Sequence, residues 1–261
     1  VEPFVYRELA PAPALRRQVA CYWTLRVASH GIHHVFPDGC ADLLFDLGAS
    51  RASVIGIMSR TRVSEPDLAQ SSRTWLFGVR FLPGEAASFV PFPAVEARDL
   101  EVDLVSVPTW GSFTRELLDR LCEARDDEER CILVDRALVE RRLAVPDARV
   151  RRVVDELRLH SGFSRVSELA RAVDLGERQL ERLFDAKVGL SPKALAKVLR
   201  FQSFLAHAHE PRPTADLALA HGYTDQSHLA RDLRALTDLT PAELRALRMS
   251  DSSNPPEVDP R

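Results

Sequence analysis

The chain has 261 residues, 45% hydrophobic and 28% charged, a balance that is soluble and globular in type and long enough for two ordinary domains. It holds no run of about 18 apolar residues, which excludes a helical membrane span, and its first segment, VEPFVYRELAPAPALRR, lacks the order of a secretory signal, so a cytoplasmic protein is expected. The net charge of −3 conceals a division: residues 1–147 carry 17 Arg and no Lys against 22 acids, whereas residues 148–248 carry 17 basic residues against 13 acids.

Residues 1–146 read as a β-rich domain that closes with two helices. The segments CYWTLRV, HHVF, ADLLFDL, SVIGIM and WLFGVRF are short apolar or alternating runs parted by turn residues, which predicts a compact sheet or a cupin-like barrel. Pro37-Asp38-Gly39 and Pro83-Gly84 are turn signals, because proline presets φ and glycine permits positive φ. Helices are predicted over 112–124, with Phe113, Leu117, Leu118 and Leu121 on one stripe, and over 127–145, with Cys131, Val134, Leu138 and Val145 on another. They either close the domain or present a stripe to a second copy of the chain.

Chemistry in this half is sparse. His33, His34, Asp38, Cys40 and Asp42 crowd one segment, yet strand alternation sends the two histidines to opposite faces, and Asp38 and Cys40 suit a turn and a small buried position. The four cysteines form no CxxC pair, so neither a metal site nor a cofactor is expected, and no catalytic residues are assigned. Trp23, Phe45, Met58, Phe77 and Phe81, with polarity from His34, Asp42 or Arg80, could line a small-molecule effector pocket; as readily, the aromatics are the domain's core.

Pro146-Asp147 marks a boundary, and every segment of residues 147–249 is helical in pattern, predicting an all-α domain of seven helices; the polar, proline-rich remainder to residue 261 is expected to be disordered. The overall class is therefore α+β in two domains. Within the helical part the sequence matches itself. Leu169-Ala170 and Leu175 correspond to Leu217-Ala218 and Tyr223, and, one residue further offset, Leu180, Arg182 and Phe184 correspond to Leu229, Arg231 and Leu233. Leu190-Ser191-Pro192 then matches Leu239-Thr240-Pro241. Each copy reads as a short helix, a turn containing glycine (Gly176 or Gly222) and a longer helix with one apolar face, which is helix-turn-helix order. A long spacer helix opened by Ser191 and Pro192 joins them, and Thr240-Pro241-x-Glu243 opens the last helix as a capping box.

SELARAVDLGERQLERLFDAKVGLSPKALAKVLRF and LALAHGYTDQSHLARDLRALTDLTPAELRAL resemble the AraC/XylS family of bacterial transcription regulators over about residues 148–248. That resemblance implies a sequence-specific regulator with two DNA-reading helices and an N-terminal domain that senses a small molecule or dimerises. Gly176 departs from it where a Ser or Thr cap is usual, as do Leu229 and Leu233 where aromatics are frequent. Pro-Asp-Gly-x-x-Asp-Leu is likewise similar to a pattern in N-terminal domains of some such regulators.

A reading helix offers its first turn and one polar stripe to the major groove. Arg178, Gln179 and Arg182 in the first copy, and Gln226, Ser227, His228 and Arg231 in the second, are the base-contact candidates, since Arg pairs with guanine O6/N7 and Gln with adenine N6/N7. Lys187, Lys193, Lys197 and Arg200 are candidates for the phosphate backbone. The expected partner is double-stranded DNA, with a small-molecule effector, a second copy and RNA polymerase as further candidates. The competing class is a helix-turn-helix module fused to an enzymatic or metal-binding N-terminal domain.

Overall fold

The computed structural model describes residues 4–27, 33–64, 75–107 and 110–250. The remainder of the predicted tail lies outside them. An N-terminal sheet-rich domain precedes a C-terminal helical domain, and no helix of the described residues is long and apolar enough to cross a membrane.

The N-terminal strands are β1 (Phe4–Leu9), β2 (Val19–Val27), β3 (His33–Val35), β4 (Ala41–Asp46), β5 (Arg51–Ile55), β6 (Arg62–Ser64), β7 (Trp75–Phe81) and β8 (Glu101–Asp103). Six of them form one antiparallel sheet in the order β1-β2-β7-β4-β5-β8, and β3 pairs with β6 as a separate ribbon. Alternation divides the large sheet by face. Tyr22, Val79, Leu43 and Val54 lie in one row across four strands, and Phe77, Phe45 and Ala52 continue that face. These side chains are buried against helices α1 (Gly111–Glu123) and α2 (Asp127–Glu140), through Leu117, Leu118, Leu121, Val134 and Leu138.

Helix α2 ends five residues before the expected stop. Beyond it the backbone N–H of Leu143 donates to the Ser88 carbonyl at 2.8 Å, drawing the chain off the helical path. Val145, expected on the buried stripe, is 88% exposed as a result.

Asp147 then caps α3 (Ala148–Leu159) by accepting from Arg149 N. There follow α4 (Val166–Ala172), α5 (Glu177–Lys187), α6 (Pro192–His207), α7 (Thr214–Ala220), α8 (Gln226–Thr237) and α9 (Pro241–Ser250). Their apolar faces meet in a core that includes Leu157, Leu169, Leu180, Phe184, Leu195, Phe201, Phe204, Leu217, Leu229 and Leu233.

Phe36 and Ile57 of the N-terminal domain belong to this helical core, so the junction between the domains is itself apolar. Polar contacts fix its orientation. Arg151 of α3 makes a two-pronged ion pair with buried Glu85, at 3.0 and 2.9 Å, and Gln202 of α6 donates to the Pro37 carbonyl at 2.7 Å. Gly39 and Gly84 take φ of +85° and +82° at the two proline turns, where a side chain would collide with Leu195 and Val150 respectively. Both turns therefore form seats for the helical domain.

Candidate nucleic-acid interface

The two structural repeats superpose their roles element for element. Helices α4 and α5 make the first helix-turn-helix, α7 and α8 the second, and α6 runs between them. Beneath the longer helix of each copy, Leu180 and Phe184, or Leu229 and Leu233, are completely buried, which turns the opposite stripe outward.

The turns differ from the sequence expectation in one respect. In the second, Gly222 has φ +78°, the left-handed conformation that glycine permits. In the first, Gly176 sits at φ −74° as the cap of α5, and the left-handed residue is Asp174 at φ +54°. Asp174 and Gly222 are the equivalent positions under the 48-residue offset, and aspartate tolerates that region better than most residues.

Of the base-contact candidates, Arg178, Arg182, Gln226, Ser227 and Arg231 are exposed on their helices. Gln179 is also exposed, but its Oε1 accepts from Gly176 N at 2.9 Å, the half of a capping box that does not need a side chain at the cap residue. Only the amide NH2 end of Gln179 is left to donate outward. His228 is half-buried and held on both sides: its Nδ1 accepts from Thr224 N at 3.3 Å, while Nε2 lies 3.7 Å from Asp232. Asp225 caps α8 by accepting from His228 N at 2.7 Å.

The backbone-contact candidates separate further. Lys193 is exposed in the first turn of α6. Lys197 is ion-paired with Asp232 of α8 at 3.2 Å, and the Arg200 guanidinium lies over the Tyr223 ring at 5.7 Å. Lys187 stands at the domain junction, beside Gly84 and Val188. Two neighbours of these candidates are not singled out by the sequence reading. Asp232 has no local signal for its partner 35 residues away, whereas Arg234, exposed three residues after Arg231, has the i, i+3 spacing of one helix face.

The effector candidates do not form one group. Trp23, Asp42 and Arg80 share the sheet face away from α1 and α2, while Phe45 lies on the other, in the core. Trp23 stacks on Tyr6 with ring centroids 6.2 Å apart, and its indole fills the space over Gly78, where a Cβ would approach to 2.0 Å. Arg80 Nε lies 3.4 Å from both Asp38 and Asp42, and its NH1 is 3.9 Å from Glu8. Burial pushes the Asp42 carboxyl up to about 6, the Arg80 charge opposing it. His34 stacks on Phe36 at 6.1 Å, and Met58 is buried. Phe45 borders a cavity of ≈10 Å³ against α1 and α2, and an apolar cavity of ≈20 Å³ lies under Gly39, Ile57 and Val188. Each has room for about one water molecule.

A family described as "Helix-turn-helix domain" matches residues 169–247, a span that takes in both turns and both long helices. Residues 169–247 form an AraC-type helix-turn-helix domain. The chain that carries it is a DNA-binding transcription regulator. A second family, described as a domain of unknown function (DUF6597), matches residues 7–103. No curated protein matches by sequence. Among solved structures, ToxT from Vibrio cholerae O395 is similar at 10% identity and a TM-score of 0.45, over 96% of this chain and 100% of that one. The apo form of a single-residue variant of ToxT, from Vibrio cholerae strain SCE256, gives 11% identity and the same TM-score, over 94% and 98%.

Proposed function

We propose that α5 and α8 are the two helices that read base edges, with Arg178, Arg182, Gln226, Ser227 and Arg231 as the reading side chains and Gln179 and His228 as residues that shape the first turns. One observation carries this assignment. Arg182 and Arg231 occupy equivalent positions of the two copies, both exposed, each on a helix whose opposite side is fully buried. An arginine so placed can make two parallel bonds to guanine, which phosphate attraction alone cannot imitate. Lys193 is the best-presented of the four backbone candidates.

The proposed domain limits are 1–146 and 147–249, with the N-terminal domain acting on DNA binding through a small molecule or a second copy. Ile132 and Val139, 51% and 55% exposed on α2, support the second of these as the apolar face available for pairing. A small molecule would have to open the sheet face around Trp23, Asp42 and Arg80, since the cavities described are water-sized.

Selection of binding duplexes from a random library, run with wild type, Arg182→Ala and Arg231→Ala, tests the assignment. Each variant is expected to relax preference at base pairs in one half of the selected site, and a different half for each. Unchanged preferences in both would remove these arginines from base reading.

A further inference from the structure

Both long helices end against one small piece of the N-terminal domain. After α5 the chain turns at Gly189, whose φ of +87° brings its backbone against Ile57 and Ala94: a Cβ there would stand 2.8 Å from Ile57 Cγ2 and 2.9 Å from the Ala94 carbonyl. Arg98 adds a bond from its guanidinium to the Gly189 carbonyl at 3.4 Å. At the end of α8, the Leu236 carbonyl accepts from Thr61 N at 2.7 Å. Carbonyls in the last turn of a helix have no partner within it, so an outside N–H both satisfies one and fixes the helix end in place.

The two segments that make these contacts, 56–61 and 94–100, are stitched to each other. Asp99 accepts from Ser59 N and Ser59 Oγ at 2.6 and 2.7 Å, and its own N–H donates to the Ile57 carbonyl at 3.1 Å. Gly56 N donates to Leu100 O at 3.0 Å, and the absence of a side chain at Gly56 lets the Ala97 carbonyl pack directly on it. One end of this stitched pair holds the exit of α5 and the other the exit of α8.

We propose that this clip, together with the spacer helix α6, sets the separation and angle between the two reading helices, and so determines which distance between DNA segments the protein accepts. The inference rests on the assignment of α5 and α8 as reading helices. In B-form DNA each added base pair rotates the next contact by about 35°, so a rigid pair of helices loses one of its two grips when about two base pairs are inserted between the segments.

The test uses full-length protein and a duplex recovered by wild-type selection, then the same duplex with one or two base pairs inserted or deleted between its two halves. Asp99→Gly removes the carboxylate that stitches the segments while suiting the φ of +60° at that position, and Thr61→Pro removes the N–H that holds α8. Wild type is expected to lose about tenfold or more in affinity on a two-base-pair insertion, the equivalent of one good bidentate contact. The variants, with thermal transitions confirming that they fold, are expected to bind the parent duplex more weakly and to show less than about threefold dependence on spacing. Should Thr61→Pro fail to fold, Asp99→Gly decides the matter by itself. An Asp99→Gly profile as steep as that of wild type would overturn the inference and assign spacing to α6 alone, and a wild type indifferent to spacing would overturn it as well. A wild type that selects no duplex would instead strike the reading-helix assignment, and this inference with it.

Discussion

The two helix-turn-helix units follow one sequence pattern and are held in place by different means. The first makes its turn with aspartate and caps its long helix through the side chain of Gln179. The second makes its turn with glycine, packs the ring of Phe163 where a Gly222 side chain would stand, and caps its long helix with Asp225. It is braced besides by Arg245 of α9, which donates to the carbonyls of Ala208, Glu210 and Arg212 and to Thr214 Oγ1. What both copies retain is a buried apolar stripe under an exposed arginine. The outward stripe is the shared requirement, and the scaffold beneath is solved locally.

The sharpest test of this contrast is at the two turns. Gly222→Ala is expected to cost about 2–3 kcal/mol in urea unfolding, since alanine resists a left-handed φ and meets the Phe163 ring, whereas Asp174→Gly is expected to stay within about 1 kcal/mol of wild type. Equal losses at the two positions would mean that the turns are not built differently. Next in size is Arg245→Ala, which takes the donor from the Ala208 and Arg212 carbonyls after α6. A loss of about 2 kcal/mol is expected, with footprint protection fading over the second half of the DNA site before the first. Simultaneous fading of both halves would deny that the brace is local to the second unit. The smallest effects belong to the caps: Asp225→Ala is expected to cost about 1 kcal/mol and Gln179→Ala about half of that, because the charged Asp225 carboxylate accepts from a first-turn N–H of its helix, whereas the neutral Gln179 side chain reaches back to the N–H of the cap residue Gly176. Chemical denaturation of both variants, compared on one protein preparation, orders them.

Much of the helical half was legible because its signals are local. Apolar spacing located the helices, Ser191 caps α6 through Ala194 N, and Thr240 and Glu243 form the reciprocal box at the start of α9. Glycine takes the left-handed position at Gly222 but not at Gly176, where the 48-residue offset places Asp174 opposite Gly222. In the sheet, Phe45 and Asp42 face opposite ways, as residues three apart on a strand must. The domain junction is different in kind. Gln202 meets Pro37 across 165 positions and Arg151 meets Glu85 across 66, and no periodicity or spacing encodes such pairings. Lys187 and Lys197 looked like free cations for the same reason; their surroundings are assembled from distant segments.

The most direct test of a two-headed reader is a double-mutant cycle on one selected duplex, with wild type, Arg182→Ala, Arg231→Ala and the combined variant titrated at several salt concentrations. Each single substitution is predicted to weaken specific binding by about 1–3 kcal/mol and the two losses to add, because the helices contact separate groove segments. Loss from one substitution with none from the other, at every salt concentration, would contradict the account and leave a protein that reads DNA with a single helix.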